Sequence, residues 1–311
     1  MKIGVIGIGN MGLGMALRLR DAGREVAVRD VDAAREALAE GCLVMPSAAA
    51  LAARCELVIV CVVDAAQSEQ VLFAGDGVVA AGHAVAGDGH SPRCVMLCPT
   101  LGVAAVEDFA ARLAAAGFAV IDAPMSGGPL RARDGSMSLM VACAQSHFER
   151  WHAVLQTLAT RLFHVSEKPG DGARTKLVNN LLAAVNLAGV AEAMALAERL
   201  GLGAAQTLAV IEQSSGQSWI ASDRMRRAIV AAHAGEAVPQ AHMALLAKDS
   251  ALALIEAEAA GFAAPVGRAA AAHFAAAVAA GLAGADDSAL WRFVAGSVPQ
   301  CHVGLKAIRS R

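Results

Sequence analysis

Hydrophobic residues change their spacing halfway along the chain. In the first half, short β-branched runs alternate with helix-like patterns, and glycine or proline closes each unit. Continuous apolar strands separated by helices are typical of a parallel sheet that is buried on both faces. The strands are predicted at residues 2–6, 25–28, 43–45, 57–62, 94–98, 118–121, 138–142 and 162–165. The pattern predicts a doubly wound α/β domain.

Strand patterns stop after residue 165. The next segment, SEKPGDG, is polar and contains one proline and two glycines, which indicates a junction. Every later periodic segment is helical. These helices are predicted at residues 173–200, 204–214, 222–233, 240–260, 265–280 and 286–294. The chain is therefore predicted to divide into an α/β domain, residues 1–168, and an all-α domain, residues 169–311, joined through a long helix.

Composition and charge narrow the possible partners. The chain has 311 residues, 56% hydrophobic and 17% charged, which suits two globular domains. The formal net charge is −2 and there is no basic block, so neither a nucleic acid nor a membrane surface is predicted as a partner. We see no run long and apolar enough to span a membrane, and the first strand starts at Lys2, which leaves no room for a signal peptide. A cytoplasmic location is predicted.

Cysteine, histidine and tyrosine usage restricts the chemistry. The cysteines are odd in number, form no CxxC pair and mostly lie in apolar runs, so we expect reduced core residues. They are Cys42, Cys55, Cys61, Cys94, Cys98, Cys143 and Cys301. The histidines are scattered without metal-ligand spacing, and no metal is predicted. The chain has no tyrosine, which excludes a tyrosine hydroxyl as catalytic acid or base.

A glycine-rich turn follows the first predicted strand. The segment GVIGIGNMGLGMA, residues 4–16, contains a GxGxxG pattern formed by Gly7, Gly9 and Gly12, between a strand and a helix. The first glycine permits a tight turn, the second lets backbone amides approach a pyrophosphate, and the third lets the helix pack against the sheet. This context indicates a dinucleotide-binding Rossmann turn.

The residue that ends the second strand bears on the choice of dinucleotide. Asp30 lies 18 residues beyond Gly12, where a carboxylate can accept hydrogen bonds from ribose hydroxyls. A 2′-phosphate would meet like charge there, so NAD is predicted and NADP is less favoured. Arg29 and Arg35 would soften this discrimination. Asp32 is interpreted as the N-cap of the following helix.

A second glycine-rich loop follows the sixth predicted strand. In DAPMSGGPL, residues 122–130, Ser126, Gly127 and Gly128 can present a hydroxyl and successive amides to a carboxylate. The carboxyl ends of strands form the ligand crevice in open α/β sheets, which favours a binding role. A plain surface turn would also explain the proline and glycines.

Polar residues also mark the start of the long helix. In GDGARTKLVNN, residues 170–180, Lys176 and Asn180 are four apart and share one helical face. An ammonium can donate a proton to a carbonyl oxygen during reduction, and the neutral amine can accept one in the reverse direction. To act as a base, Lys176 needs a lowered pKa. Burial and a second cation nearby would lower it, and Lys248 is the candidate for that cation.

Together, these motifs resemble the β-hydroxyacid dehydrogenase family, which includes 3-hydroxyisobutyrate dehydrogenase and tartronate semialdehyde reductase. GIGNMGLGMA, DAPMSGG, GDGARTKLVNN and LLAKDSALA agree with the family in order and spacing over nearly the whole chain. The resemblance implies reversible transfer of a hydride between NAD and a small β-hydroxyacid, giving a semialdehyde or ketoacid. It also implies a homodimer or homotetramer.

The resemblance assigns roles to individual residues. It implies that Lys176 is the catalytic acid/base, that Ser126, Gly127 and Gly128 hold the substrate carboxylate, and that Asn180 binds substrate near the reacting carbon. Lys248 would contact substrate and cofactor. The other implied cofactor residues are Gly7, Gly9, Asn10, Met11, Gly12, Asp30, Val62, Val63, Gln67 and Thr100. The family usually has Leu-Pro at Val62-Val63 and a Ser-Thr or Ser-Ser pair at Pro99-Thr100.

Two other interpretations remain open. Imine reductases resemble this family in fold, but they generally carry another residue in place of the lysine at position 176. A dinucleotide-binding sensor without turnover is the alternative from outside the enzymes. The roles of Arg131, Arg133 and Trp219 stay open between surface, packing and pocket positions.

Overall fold

The protein consists of two compact units, Met1–Val178 and Asn179–Arg311. The structure is a computed structural model that describes residues 2–82, 93–234 and 239–296. Cys301 and most of the segment AGDGHSPR, residues 86–93, lie outside the described residues. The predicted domain boundary after residue 168 precedes the long helix, whereas the two compact units divide inside that helix.

Among the described residues, nine strands form one sheet at the centre of the first unit. The strands are β1 Lys2–Ile6, β2 Glu25–Arg29, β3 Leu43–Val44, β4 Leu57–Val60, β5 Cys94–Leu97, β6 Ala119–Asp122, β7 Met125–Ser126, β8 Met137–Ala142 and β9 Ala159–Ser166. They lie in the order β3-β2-β1-β4-β5-β6-β8-β7, with β9 paired to β8. Pairing is parallel from β3 to β6 and between β8 and β9, and antiparallel where β8 meets β6 and β7. The predicted doubly wound fold is confirmed. The sheet also contains antiparallel strand pairs at one edge, which the sequence pattern did not predict.

Helices connect these strands and cover the sheet. They are α1 Asn10–Asp21, α2 Ala33–Ala37, α3 Ala48–Arg54, α4 Ala65–Phe73, α5 Val103–Ala115, α6 Gly128–Asp134 and α7 Gln145–Leu158. Central strands such as β4 are buried at every position because both sheet faces are covered. Their apolar side chains form one core with Met15 of α1 and Trp151 of α7. The carboxyl ends of β1, β4 and β6 are thereby fixed relative to one another.

The second unit is helical, as predicted. Its helices are α8 Asp171–Arg199, whose first turns belong to the first unit, α9 Ala204–Glu212, α10 Trp219–Ala234, α11 Met243–Ala259, α12 Pro265–Ala277 and α13 Leu290–Val294. Met194, Phe274 and Trp291 are fully buried in its core. Gly201 and Gly261 follow α8 and α11 with φ of 75° and 69°, the left-handed conformation that glycine adopts without strain.

The expectation that no segment is apolar and long enough to span a membrane is wrong for α8. Its 29 residues reach a mean hydropathy of 1.5 in their most apolar window, because this window is rich in alanine, leucine and valine and has few charges. Half of that window is buried inside the protein, and Leu187 and Met194 belong to the core of the second unit. Core helices of globular proteins have the same composition and length.

The described cysteines are free thiols, as predicted. Cys55, Cys94, Cys98 and Cys143 are buried, and burial raises the pKa of the Cys55 thiol to about 12. A thiol in this state carries almost no thiolate at neutral pH and is a poor nucleophile. These cysteines therefore serve as apolar packing residues.

Candidate active site

The glycine turn after β1 is shaped by close backbone contacts. Gly7 has a φ of +90°, and a Cβ there would lie 2.6 Å from the carbonyl oxygen of Cys61. A Cβ on Gly12 would lie only 1.9 Å from the carbonyl oxygen of Gly7. Helix α1 begins at Asn10, and no side chain caps its first amides. The tight turn and the uncapped amino end fit a dinucleotide pyrophosphate, which would be held by the backbone of Gly9, Asn10, Met11 and Gly12.

Asp30 connects the end of β2 to this turn. Its Oδ2 accepts a hydrogen bond from the backbone N–H of Ile8 at 2.5 Å, and its Oδ1 accepts one from the N–H of Asp32 at 3.0 Å. The carboxylate therefore fixes the glycine turn, and each carboxylate oxygen can accept more than one bond. Asp32 accepts from the N–H of Ala34 at 2.9 Å, which confirms it as the N-cap of α2.

The two nearby arginines differ in their partners. Arg29 forms an ion pair with the buried Glu36 at 3.0 Å, and Glu36 also accepts from the N–H of Asp30 at 2.8 Å. Arg35 lies 3.5 Å from the carboxylate of Asp32, and its Nη1 would be 3.3 Å from a Cβ on Gly9. Arg29 is thus neutralised within the fold, whereas Arg35 borders the glycine turn.

The loop after β4 adjoins the same turn. A Cβ on Gly7 would lie 3.0 Å from a methyl of Val62, so this valine contacts the glycine turn. The side-chain oxygen of Gln67 accepts from the N–H of Val63 at 3.0 Å, which shapes the loop, and 48% of Val63 is exposed. Thr100 follows β5, the neighbour of β4 in the sheet. These residues therefore lie at the carboxyl ends of adjacent strands, where ligands bind in such sheets.

The proposed carboxylate loop forms a sharp corner between β7 and α6. Ser126 ends β7 opposite Ser138 of β8, and Gly127 and Gly128 follow with φ of +137° and +77°. The stem of Arg131 packs over Gly127, where a Cβ would meet it at 2.8 Å. Side chains at either glycine would be strained by the positive φ, and only beside Gly128 is there open space, since a Cβ there would meet no atom within 4 Å.

The other two residues of undecided role, Arg133 and Trp219, lie at the protein surface. Arg133 forms an ion pair with Asp21 at 2.7 Å, which ties α6 to the end of α1. Trp219 opens α10 and is 52% exposed. For Arg133 the surface interpretation fits best.

Asp122 connects the carboxylate loop to the start of α8. It ends β6, is 1% exposed, and its Oδ2 accepts from the N–H groups of Gly170 at 2.8 Å and of Ala173 at 3.1 Å. Gly172 fits against it only without a side chain, because a Cβ would lie 2.8 Å from the same oxygen. The loop that begins at Asp122 and the helix that carries Lys176 are therefore held together within the first unit.

Lys176 and Asn180 are both buried, at 7% and 8% exposure, one turn apart in α8. Within the second unit, the amide nitrogen of Asn180 donates to Oδ2 of Asp249 at 2.7 Å. The ammonium of Lys248 lies 2.9 Å from Oδ1 of the same carboxylate, an ion pair whose alignment falls short of a hydrogen bond. Asp249 thus contacts both Asn180 and Lys248. That Lys248 provides a second cation close to Lys176 stays a prediction.

Sequence reasoning missed three carboxylates. Glu36, Asp122 and Asp249 are each mostly or fully buried, and each holds a residue or segment of the candidate site. Only Asp122 had a visible signal, because an acid directly after an apolar strand and before a proline sits where sheet ligands bind. The other two acids lie in helices, where a charged residue is ordinarily interpreted as solvated.

Two family models cover most of the chain. Residues 2–166 match the NAD-binding domain of 6-phosphogluconate dehydrogenase, and residues 170–294 match the NAD-binding domain of NADP-dependent 3-hydroxyisobutyrate dehydrogenase. The chain belongs to the β-hydroxyacid dehydrogenase family. The resemblance inferred from the four motifs is therefore confirmed.

Individual relatives match over nearly full length. An L-threonate dehydrogenase of Escherichia coli O6:H1 is 34% identical over 94% of this chain and 95% of its own. A 3-hydroxyisobutyrate dehydrogenase of Pseudomonas aeruginosa is 34% identical over 70% of this chain and 71% of its own. The crystal structure of a Salmonella typhimurium 3-hydroxyisobutyrate dehydrogenase superposes with a TM-score of 0.82 at 32% identity, over 94% of this chain and 99% of that one. The relatives are dehydrogenases that act on CH–OH groups, and the nicotinamide-dinucleotide fold is common to them.

Proposed function

We propose that the protein is an NAD-dependent dehydrogenase of small β-hydroxyacids in which Lys176 is the general acid/base. L-threonate is the leading candidate substrate, because a full-length relative at 34% identity carries that activity in its name, and 3-hydroxyisobutyrate is the second. The observation that carries the proposal is the connection through Asp122 of the carboxylate loop to the helix of Lys176.

In this proposal, separate residues bind the substrate, transfer the proton and orient the reacting group. Ser126, Gly127 and Gly128 bind the substrate carboxylate and orient the hydroxyl. During oxidation the neutral amine of Lys176 accepts the hydroxyl proton, and during reduction its ammonium donates a proton to the carbonyl oxygen. Asn180 and Lys248, which Asp249 holds, orient the substrate. When bound, the nicotinamide accepts or supplies the hydride.

A preference for NAD over NADP is part of the proposal. Asp30 places a carboxylate at the end of β2, and Arg29, which would attract a 2′-phosphate, is already paired with Glu36. We expect Asp30→Asn to reduce the ratio of kcat/KM for NAD to that for NADP by about tenfold, because the amide removes the like charge while its oxygen still accepts from Ile8. Steady-state kinetics with both dinucleotides measure this ratio.

A carboxylate at the opposite end of β2 provides a matched control. Glu25→Gln makes the same change from carboxylate to amide at the first residue of the strand, at a side chain that is paired with Arg54 at 2.8 Å. It should leave the NAD to NADP ratio within about twofold of the parent. An unchanged ratio in Asp30→Asn would contradict the assignment of cofactor preference to that carboxylate.

A substrate panel tests the function itself. The purified protein is assayed with L-threonate, 3-hydroxyisobutyrate, glycerate and serine, each with NAD and with NADP, and with tartronate semialdehyde in the presence of NADH or NADPH. We expect the highest kcat/KM for L-threonate with NAD. A missing or additional substituent changes binding by only roughly 1 to 3 kcal/mol, so related acids should be poorer substrates and not inert.

The same assay separates the alternatives. Cyclic imines are included because imine reductases resemble this family in fold, and their reduction without hydroxyacid turnover would favour that activity. Absorbance at the NADH wavelength that stays flat with every acid, despite NAD binding, would favour a sensor. The buried lysine at position 176 supports the dehydrogenase over both.

Self-association into a homodimer or homotetramer is proposed for the second unit. Its helices and the segment between α11 and α12 expose several large apolar side chains to solvent, which favours burial against another copy. These are Leu182, Leu196, Ile255, Phe262 and Val266, each at least 57% exposed. A monomer in light scattering at assay concentration would contradict this proposal. The cytoplasmic location stays a prediction.

A further inference from the structure

Asp122 is a carboxylate in a place where a neutral group would serve the fold equally well. One oxygen, Oδ2, accepts both bonds from the amides that open α8. An asparagine can place its amide oxygen in the same position and accept the same two bonds. The negative charge is therefore dispensable for the hydrogen bonds that connect β6 to α8.

This charge is also costly at neutral pH. Burial raises the pKa of Asp122 to about 6, although the amides of Gly170, Gly172 and Ala173 favour the ionised form. A carboxyl whose pKa is raised by folding stabilises the fold fully below its unfolded pKa of 3.8, and this contribution is lost as the pH rises through about 6. The ionised carboxylate therefore lowers the stability of the fold at neutral pH, which points to another role for its charge.

We propose that Asp122 is a positioning residue whose negative charge, at the amino end of α8, keeps Lys176 in its ammonium form and poised to donate a proton in the reductive direction. The inference rests on the proposed function of Lys176. Asp122, the last residue of β6, would influence the protonation state of Lys176 through the first turn of α8.

Helix electrostatics supply the physical reason. The amino end of a helix carries partial positive charge from its unpaired N–H groups, which disfavours a cation nearby. Helical side chains generally lean toward the amino end, so we expect the ammonium of Lys176, in the second turn of α8, to approach the first turn. A carboxylate bonded to the amides of that first turn offsets the positive potential. Because these groups are buried, solvent screens the effect only weakly.

Several other titratable groups face Asp122. Asp171 opens α8 and raises the pKa of Asp122 through its negative charge, while Cys98 and Cys143 stand at the ends of β5 and β8. Both thiols have raised pKa values because they are buried, so they stay neutral over the assay range. Asp171 is paired at 2.6 Å with Arg174 on the surface. Above about pH 6, Asp122 is therefore the buried charge at this helix end.

The test is the pH dependence of both reaction directions in Asp122→Asn. We expect the ascending limb of the kcat profile for L-threonate oxidation to move lower by about one pH unit, which corresponds to about 1.4 kcal/mol of interaction between the two charges. Oxidation at pH 7 should rise several-fold and reduction should fall. Below about pH 6 the two profiles should converge, because Asp122 of the parent is then neutral.

Thermal unfolding gives a readout apart from activity. At pH 8, Asp122→Asn should melt at the same temperature as the parent or higher, and the difference should shrink toward pH 5. A purely structural role would give a lower melting temperature, equal losses in both directions and an unmoved profile, and that result would overturn the proposal. If the asparagine variant does not fold, Asp122→Ser removes the same charge and is judged by the same profile.

Two controls separate this inference from the proposed function. Asp171→Asn removes an acid at the same helix end, but one that solvent and Arg174 already compensate, and its profile should move by less than about 0.3 pH unit. Lys176→Ala tests the lysine itself. If Lys176→Ala abolishes turnover and Asp122→Asn leaves the profile in place, only the role of Asp122 is wrong. If Lys176→Ala is active, the proposed function fails first.

Discussion

Lys176→Ala is expected to lower kcat for hydroxyacid oxidation by about 10²- to 10⁴-fold, the contribution of a well-placed general base. The side chain is 7% exposed, so bulk water has little access to replace the missing amine as proton acceptor. NAD affinity should stay within about threefold, because the glycine turn and Asp30 lie elsewhere in the first unit. Steady-state kinetics and fluorescence titration with NADH measure the two effects separately.

Two further lysine variants make this result specific. Lys168→Ala removes an exposed lysine a few residues before α8 and should keep parental kcat. Lys176→Arg keeps the positive charge but cannot lose its proton near neutral pH, so oxidation should be as slow as in the alanine variant. Parental kcat in Lys176→Ala, with Lys168→Ala also active, would refute the assignment of the acid/base.

The sheet was predictable because its strands carry unbroken apolar runs. Strands β4 and β5 are buried at every position, and such runs between helical patterns leave few alternatives to a parallel sheet. Strand β7 was missed, since Met125 and Ser126 are too short a run to show a period. Its pairing with β8 depends on the corner at Gly127, which the sequence shows only as a turn.

Elements of the candidate site were predictable to different degrees. The glycine spacing predicted the turn around Gly7 and Gly12 because neither position has room for a Cβ atom. The pairing of Asn180 with Asp249 was not predictable, since 69 residues separate them and Asp249, the neighbour of Lys248, resembles a solvated helix acid in the sequence. Long-range pairing of buried polar groups follows from tertiary packing, which a single sequence does not display.

Gly12→Ala is the second large effect that we expect. The added Cβ would lie 1.9 Å from the carbonyl oxygen of Gly7, a backbone atom that cannot rotate away. Helix α1 would have to move off the turn, at a cost of about 1 to 3 kcal/mol or more. For a unit of this size, calorimetry should show a melting temperature lower by roughly 2 to 4 °C for each kcal/mol. NAD affinity should fall as well, because the displaced amides no longer converge on the pyrophosphate.

Gly189→Ala is the matched control, because it makes the same substitution inside a helix with the opposite expected sign. Gly189 is exposed in α8, and a Cβ there would meet no atom within 4 Å. Alanine should therefore stabilise that helix by about 0.5 to 1 kcal/mol. If Gly12→Ala also raised the melting temperature and left NAD binding intact, the close approach of α1 to the turn would not be what requires glycine at position 12. The two variants thus separate helix propensity from the steric demand of the dinucleotide turn.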